Sequence, residues 1–300
     1  MKVSEADVLN DWIETTLSGK SPATRSSYKW AVQRFWKFLQ GRKVGSINEL
    51  KTSDIKAFFA DLRMGGANQN TVANLDRTLR AIFNRLDLEG REDFDLSPQW
   101  QNPFTTVDKN RPITVLKTPL TSEQANKLLS SVPRQGLMQH RNYAMAAFML
   151  MTGARSIEVR HLLERNVDLD HAIAKLEVTK GSTPRYVHMP DKLCKILRAY
   201  LRRRARLSTQ CPYIFMNRSG KPQSRRALHR AIRTMGSRIG ITDLGPHRLR
   251  HSYVTLSHAK GAPLKFLQEQ CGHSSILMTQ RYISLSAQQK TELANEYCAL

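Results

Sequence analysis

Cysteine is scarce in this chain: four occur in 300 residues, Cys194, Cys211, Cys271 and Cys298, far apart and without a C-x-x-C pair. Neither a disulfide framework nor zinc-ligand spacing follows, and reduced structural thiols are the expectation. Long apolar runs are missing as well. None approaches the ~18 to 20 residues that a membrane-spanning helix needs, and the opening MKVSEADVLN is acidic, unlike a secretory signal. A soluble cytoplasmic chain with no membrane partner is expected. Carboxylates are in deficit, with 25 Asp and Glu against 47 Lys and Arg, for a formal charge of +22. That imbalance implies a polyanionic partner, yet charge alone supplies only a salt-sensitive, sequence-independent attraction. Internal repeats and low-complexity tracts are absent. So are the aromatic segments of common RNA-binding modules, which argues against RNA.

What is present is helical periodicity, over a length that suggests two domains. From Glu5 to Leu88 the chain reads as successive amphipathic helices. Tyr28, Val32, Phe35, Trp36 and Leu39 recur at helical spacing in one, and Val72, Leu75, Leu79 and Ile82 in a later one. The aromatics Trp30, Phe35 and Trp36 read as core rather than as base-stacking platforms. Residues 1–95 thus form a small all-helical domain. Over 96–118 the periodicity fades and Pro98, Pro103 and Pro112 stand among polar residues, the composition of a linker.

A second domain, 119–300, opens with the capping-box sequence Thr121-Ser122-Glu123-Gln124 and the apolar helix Tyr143 to Met151. His171 to Pro190 reads as a β-hairpin turning at Gly181-Ser182-Thr183-Pro184. Helices are expected at Lys192 to Arg206, Arg225 to Ile239, His247 to Ala259, Pro263 to Gln270 and Ile276 to Ile283. The run Arg202-Arg203-Arg204 fits a DNA-backbone stripe and a solvated helix face equally. The fold class is mainly α with a small β-hairpin or sheet.

Three segments of the second domain carry chemistry: Thr152-Gly153-Ala154-Arg155-Ser156-Ile157-Glu158, His247-Arg248-Leu249-Arg250-His251, and Gly272-His273-Ser274-Ser275 leading to Tyr282. In this order they resemble the tyrosine recombinase or phage integrase family, whose pattern is T-G-x-R, H-x-x-R and G-H-x-x before a nucleophilic Tyr. The resemblance covers the whole second domain, and the helical first domain resembles the family's core-binding domain. It implies a C-shaped clamp closing on double-stranded DNA. One departure stands at Arg248, where many relatives carry Asp. It leaves His247 and Arg250 in register.

The resemblance assigns catalysis to Arg155, Lys180, His247, Arg250, His273 and Tyr282, with Glu158 in support, and the physics of phosphoryl transfer agrees. Attack on a phosphodiester concentrates negative charge on non-bridging oxygens, and guanidinium forks match two oxygens at once. Arg155 and Arg250 supply them. A phenol with an ordinary pKa near ~10 must lose its proton as it attacks, and His247 is the best-placed acceptor. Lys180, in the hairpin turn, is the candidate general acid for the departing 5′ oxygen, with Lys175 the competing choice and Arg185 also nearby. His273 would hydrogen-bond the phosphate, whereas His251 reads as a core histidine. Glu158, three residues after Arg155 on the same helical face, would orient side chains that touch DNA.

The implied reaction forms a 3′-phosphotyrosyl link and conserves bond energy, so no cofactor, ATP or metal is called for. Implied too are four protomers, identical or of two kinds, on two DNA sites, strand exchange through a Holliday junction, accessory DNA-binding proteins and a nucleoid-associated location. Two alternatives remain open: a type IB topoisomerase-like relaxing enzyme and a non-catalytic DNA-binding protein. Two false leads close. Gly19-Lys20-Ser21 lacks the first Gly of a phosphate-binding loop, Glu14 standing there, and arginines replace the Glu of a zinc-type H-E-x-x-H between His247 and His251.

Overall fold

The computed structural model describes residues 5–113, 118–177, 184–207, 211–217, 219–273 and 275. The chain divides into two compact units, 1–116 and 117–300.

The first unit is helical: α1 (Glu5–Thr16), α2 (Pro22–Gly41), α3 (Thr52–Met64) and α4 (Gln69–Glu89). Helix α2 starts where Ser21 accepts from the Thr24 N–H and Pro22 takes the first turn, a position with no intrahelical partner to lose. Its Val32, Phe35, Trp36 and Leu39 are buried against the α4 stripe Val72, Leu75, Leu79 and Ile82. Trp30 departs from expectation. It stands 44% exposed with the Arg34 guanidinium over its ring, because it falls outside the buried arc of α2.

The proline-bearing segment after residue 95 also contributes to this core. Trp100 and Phe104 are buried in it, the Trp100 indole N–H donates to the Ile47 carbonyl (3.0 Å), and Phe104 lies 4.8 Å from Phe83, ring to ring. Arg80 fastens the segment to α4, pairing with Asp76 while donating to the carbonyls of Phe104 and Val107. Two aromatics are too few to register as periodicity, yet they outweigh the prolines in deciding where the segment lies.

The second unit is built around α6 (Leu137–Thr152), which is apolar on nearly all sides and buried from Ala144 to Leu150. Before it comes α5 (Ser122–Ser130), opened by the Thr121–Gln124 capping box. After it come α7 (Ser156–Arg160), β1 (Val167–Asp168), β2 (Ile173–Leu176), β3 (Arg185–His188) and α8 (Asp191–Arg204). The strands form an antiparallel sheet in the order β1-β2-β3, with Ile173 opposite His188 and Leu176 opposite Arg185. The expected hairpin is therefore present, with β1 added at its edge. Its turn, 178–183, lies outside the described residues.

Helix α8 presents Leu193, Cys194, Leu197 and Tyr200 to the core. Arg204 is neither a DNA stripe nor a solvated face: it is buried, pairs with Glu164 at 2.5 Å and donates to the carbonyls of Cys211 and Tyr213. Arg202 and Arg203 are exposed. Then follow α9 (Arg225–Ser237), α10 (Pro246–Ala259) and α11 (Leu264–Cys271), within two residues of their expected ends. The helix expected at Ile276 to Ile283 lies outside the described residues. Among the described residues no helix is long and apolar enough to cross a membrane. Cys194, Cys211 and Cys271 are buried, and among the described residues none of them forms a disulfide.

Candidate active site

The T-G-A-R segment is a helix stop followed at once by a helix start. Gly153 caps α6 in the left-handed region (φ 67°), with its N–H on the Met149 carbonyl at 3.0 Å. Glycine is required there twice over, since a Cβ would also stand 2.5 Å from the Tyr253 ring and 2.8 Å from Cys271 Sγ. Arg155 then caps α7, its backbone N–H donating to Glu158 Oε2 (2.6 Å) and its Nη1 to Glu158 Oε1 (3.0 Å).

The H-x-x-R segment opens α10, with Pro246 in its first turn. His247 is exposed, while Arg250, one turn on, is buried and reaches the Gly153 carbonyl (2.7 Å) and the Cys271 carbonyl (2.8 Å). The G-H segment ends α11: Gly272 takes φ 63° and the His273 N–H returns to the Gln268 carbonyl (3.0 Å).

These pieces meet at one place, the C-terminus of α11. Three successive carbonyls there accept from three different arginines: Gln270 from Arg185 Nε (3.3 Å), Cys271 from Arg250 Nη2 (2.8 Å) and Gly272 from Arg155 Nη2 (2.6 Å). The last carbonyls of a helix have no intrahelical partner and carry its negative dipole end, so cations satisfy them well. Helix α11 is thus a fixture on which guanidiniums from α7, β3 and α10 are assembled. Its other tie is Gln270, whose side chain pairs with both the N–H (3.1 Å) and the carbonyl (2.7 Å) of His188, closing the free edge of β3.

Electrostatically the site is a cation cluster around one buried carboxylate. Burial alone would raise the Glu158 carboxyl, but the hydrogen bonds and charge of Arg185, followed by those of Arg155, hold it below its ordinary value. His273 is pushed down to about 4, first by burial and then by Arg250, Arg155, Arg185 and His247. It is neutral at pH 7. Each of Arg155 and Arg250 directs N–H donors to protein acceptors and has five in all. Donors remain for a further oxygen.

Of the candidate residues, Arg155, Glu158, Arg250 and His273 are brought together, with His247 close enough for its charge to bear on His273. Lys180 and Tyr282 lie outside the described residues. Lys175, the competing lysine, pairs with Glu177 (3.2 Å) on β2. His251 is buried, in keeping with a core role. Sequence reasoning gave Arg185 no role. Its signal was present, because Arg185 alternates in phase with the buried Val187, and an arginine on the inner face of a strand requires a buried counter-charge. Gln270 carried no comparable signal. Among the described residues no group of three or more His, Cys, Asp or Glu is arranged to hold a metal ion.

Residues 119–289 match the phage integrase family, and residues 9–88 match its N-terminal SAM-like domain. The chain belongs to the phage integrase family. Within that family, the tyrosine recombinase XerD of Bifidobacterium longum is 29% identical over 89% of this chain and 88% of its own. The tyrosine recombinase XerC of Pseudomonas syringae pv. tomato is 25% identical over 89% and 87%. Among solved structures, the Tn1549 transposon integrase in complex with transposon right end DNA shares the fold, with a TM-score of 0.75 and 19% identity over 99% of this chain and 100% of that one. The SAM-like match falls on α1 to α4, and the phage integrase match spans α5 to α11, so the arginine cluster sits wholly within the latter.

Proposed function

We propose that this phage integrase family member is a site-specific DNA recombinase that cuts and rejoins double-stranded DNA through a covalent bond to Tyr282. The observation that carries the reading is the convergence of Arg155, Arg250 and His273 on the end of α11. Two guanidiniums fixed before substrate arrives can meet the charge that develops on a phosphodiester without reorganising. The tyrosine recombinases among the relatives and the DNA-bound neighbour support it.

In this reading the Tyr282 oxygen attacks phosphorus, its proton passing to His247, while the bond to the 5′ oxygen breaks and Lys180 gives its proton to that departing oxygen. The products are a 3′-phosphotyrosyl bond and a free 5′ hydroxyl, and the reverse attack by another strand's 5′ hydroxyl restores DNA. His273 donates a hydrogen bond in its neutral form. The incoming phosphate raises its proton affinity by opposing the surrounding cations. Four protomers on two DNA sites, identical or of two kinds, complete strand exchange in this scheme.

The test begins with a pool of random-sequence duplexes incubated with the chain in excess chelator and without nucleotide. DNA that stays attached to protein through detergent is recovered and sequenced. A recurring site, attached by wild type and not by Tyr282→Phe, supports the reading. Non-covalent binding alone, with no detergent-stable complex, refutes it.

A further inference from the structure

Arg185 has no part in the reaction just described, yet its side chain is among the more enclosed cations of the site, only 12% exposed. It grips both oxygens of Glu158, Nη2 to Oε2 at 3.0 Å and Nη1 to Oε1, while Nε reaches the Gln270 carbonyl. Its aliphatic end fills the space beside Gly272, where a Cβ would lie 2.8 Å from Arg185 Cδ. Glu158 in turn accepts from the backbone and side chain of Arg155. The order of connection is β3, Arg185, Glu158, Arg155.

That order decides what loss of Arg185 does. A buried carboxylate shared by two guanidiniums divides its attraction between them. With Arg185 gone, Glu158 would draw the Arg155 fork onto itself and away from a phosphate.

On the recombinase reading above, we propose that Arg185 is a positioning residue for strand cleavage, holding Glu158 so that the Arg155 fork stays available to the scissile phosphate. It touches no DNA itself. Its influence on the phosphate runs through Arg155.

The test uses the duplex recovered by covalent capture and single-turnover cleavage by wild type, Arg185→Met, Arg185→Lys, Glu158→Gln and the Met/Gln double variant. A matched duplex carries a methylphosphonate at the scissile position, which removes the negative non-bridging charge that Arg155 opposes. Arg185→Met is expected to cleave the ordinary duplex ~100-fold more slowly at saturating DNA, with affinity for DNA nearly unchanged. Arg185→Lys should recover part of that loss, keeping the charge without the fork. The double variant should be no slower than Arg185→Met, as for two residues on one path. On the methylphosphonate the deficit should shrink markedly, whereas a merely structural defect would keep its full size. Wild-type rates in Arg185→Met, or a deficit of equal size on both duplexes, overturn the proposal. If thermal melting shows Arg185→Met unfolded, Arg185→Lys carries the same comparison. Loss of Tyr282-dependent capture by wild type would instead sink the recombinase reading itself.

Discussion

In the proposed reaction a guanidinium of this site has two tasks, to satisfy helix carbonyls and to meet phosphate, and Arg155 and Arg250 would divide them differently. Arg155 keeps 25% of its side chain exposed, whereas Arg250 is 4% exposed and tied to Gly153 and Cys271. Arg155→Ala is therefore expected to slow cleavage by at least ~100-fold while leaving DNA binding and melting temperature nearly intact. Arg250→Ala should impair both cleavage and stability, because two buried carbonyls lose their donor. Parallel single-turnover and melting measurements check the contrast. His273 gives a pH signature. Its affinity for protons is lower in the fold than in the unfolded chain, so its contribution to stability is complete above the ordinary value of 6.5 and lost as pH falls towards about 4. Glu158 adds its own loss only below its ordinary value of 4.5. Wild type should thus lose melting temperature between pH 6.5 and 5 more steeply than His273→Gln, and equal slopes would remove the buried neutral imidazole from the account.

At the scale of elements, the site depends on where helices end. Gly153 and Gly240 both take positive φ, but a Cβ at Gly153 strikes Tyr253 and Cys271 while nothing lies within 4 Å at Gly240. Gly240→Ala should cost ~1 kcal/mol of stability from the left-handed backbone alone, and Gly153→Ala a further ~1 to 3 kcal/mol from overpacking. Denaturant unfolding of the two variants separates backbone strain from steric crowding. Trp100→Ala is expected to cost ~3 to 5 kcal/mol, as for a buried core aromatic, and a surface-like effect would contradict its place in the first unit's core. These elements differ in how far the sequence disclosed them. Long helices such as α4 and α9 announce themselves by repeated apolar positions, and the motif segments fix Arg155, Arg250 and His273. Trp100 and Phe104 stayed hidden because isolated aromatics among prolines have no period. Arg185 and Gln270 stayed hidden because their partners, Glu158 and the His188 backbone, are distant in sequence and become neighbours only when α7, β3 and α11 meet.

For the whole molecule, a formal charge of +22, of which residues 117–300 carry +19 (30 basic against 11 acidic) and residues 1–116 only +3 (17 against 14), favours a polyanionic partner held chiefly by the second unit. Affinity for the captured duplex should fall linearly on a log-log plot against salt, with a slope reflecting several phosphate contacts, and a flat response would argue against backbone contacts as the main source of binding. The matches to the phage integrase family and to its SAM-like domain leave 89–118 between them, and there Trp100 and Phe104 hold the chain to the first unit. In the proposed reaction Arg155, Arg250 and His273 converge to receive a phosphate that Tyr282 attacks. Tryptic digestion of the detergent-stable complex, followed by mass spectrometry of the nucleotide-bearing peptide, identifies the attacking residue. The expected product is a nucleotide joined through its 3′ phosphate to Tyr282 in the peptide Tyr282 to Lys290. Attachment to any other residue, or through a 5′ phosphate, would contradict it.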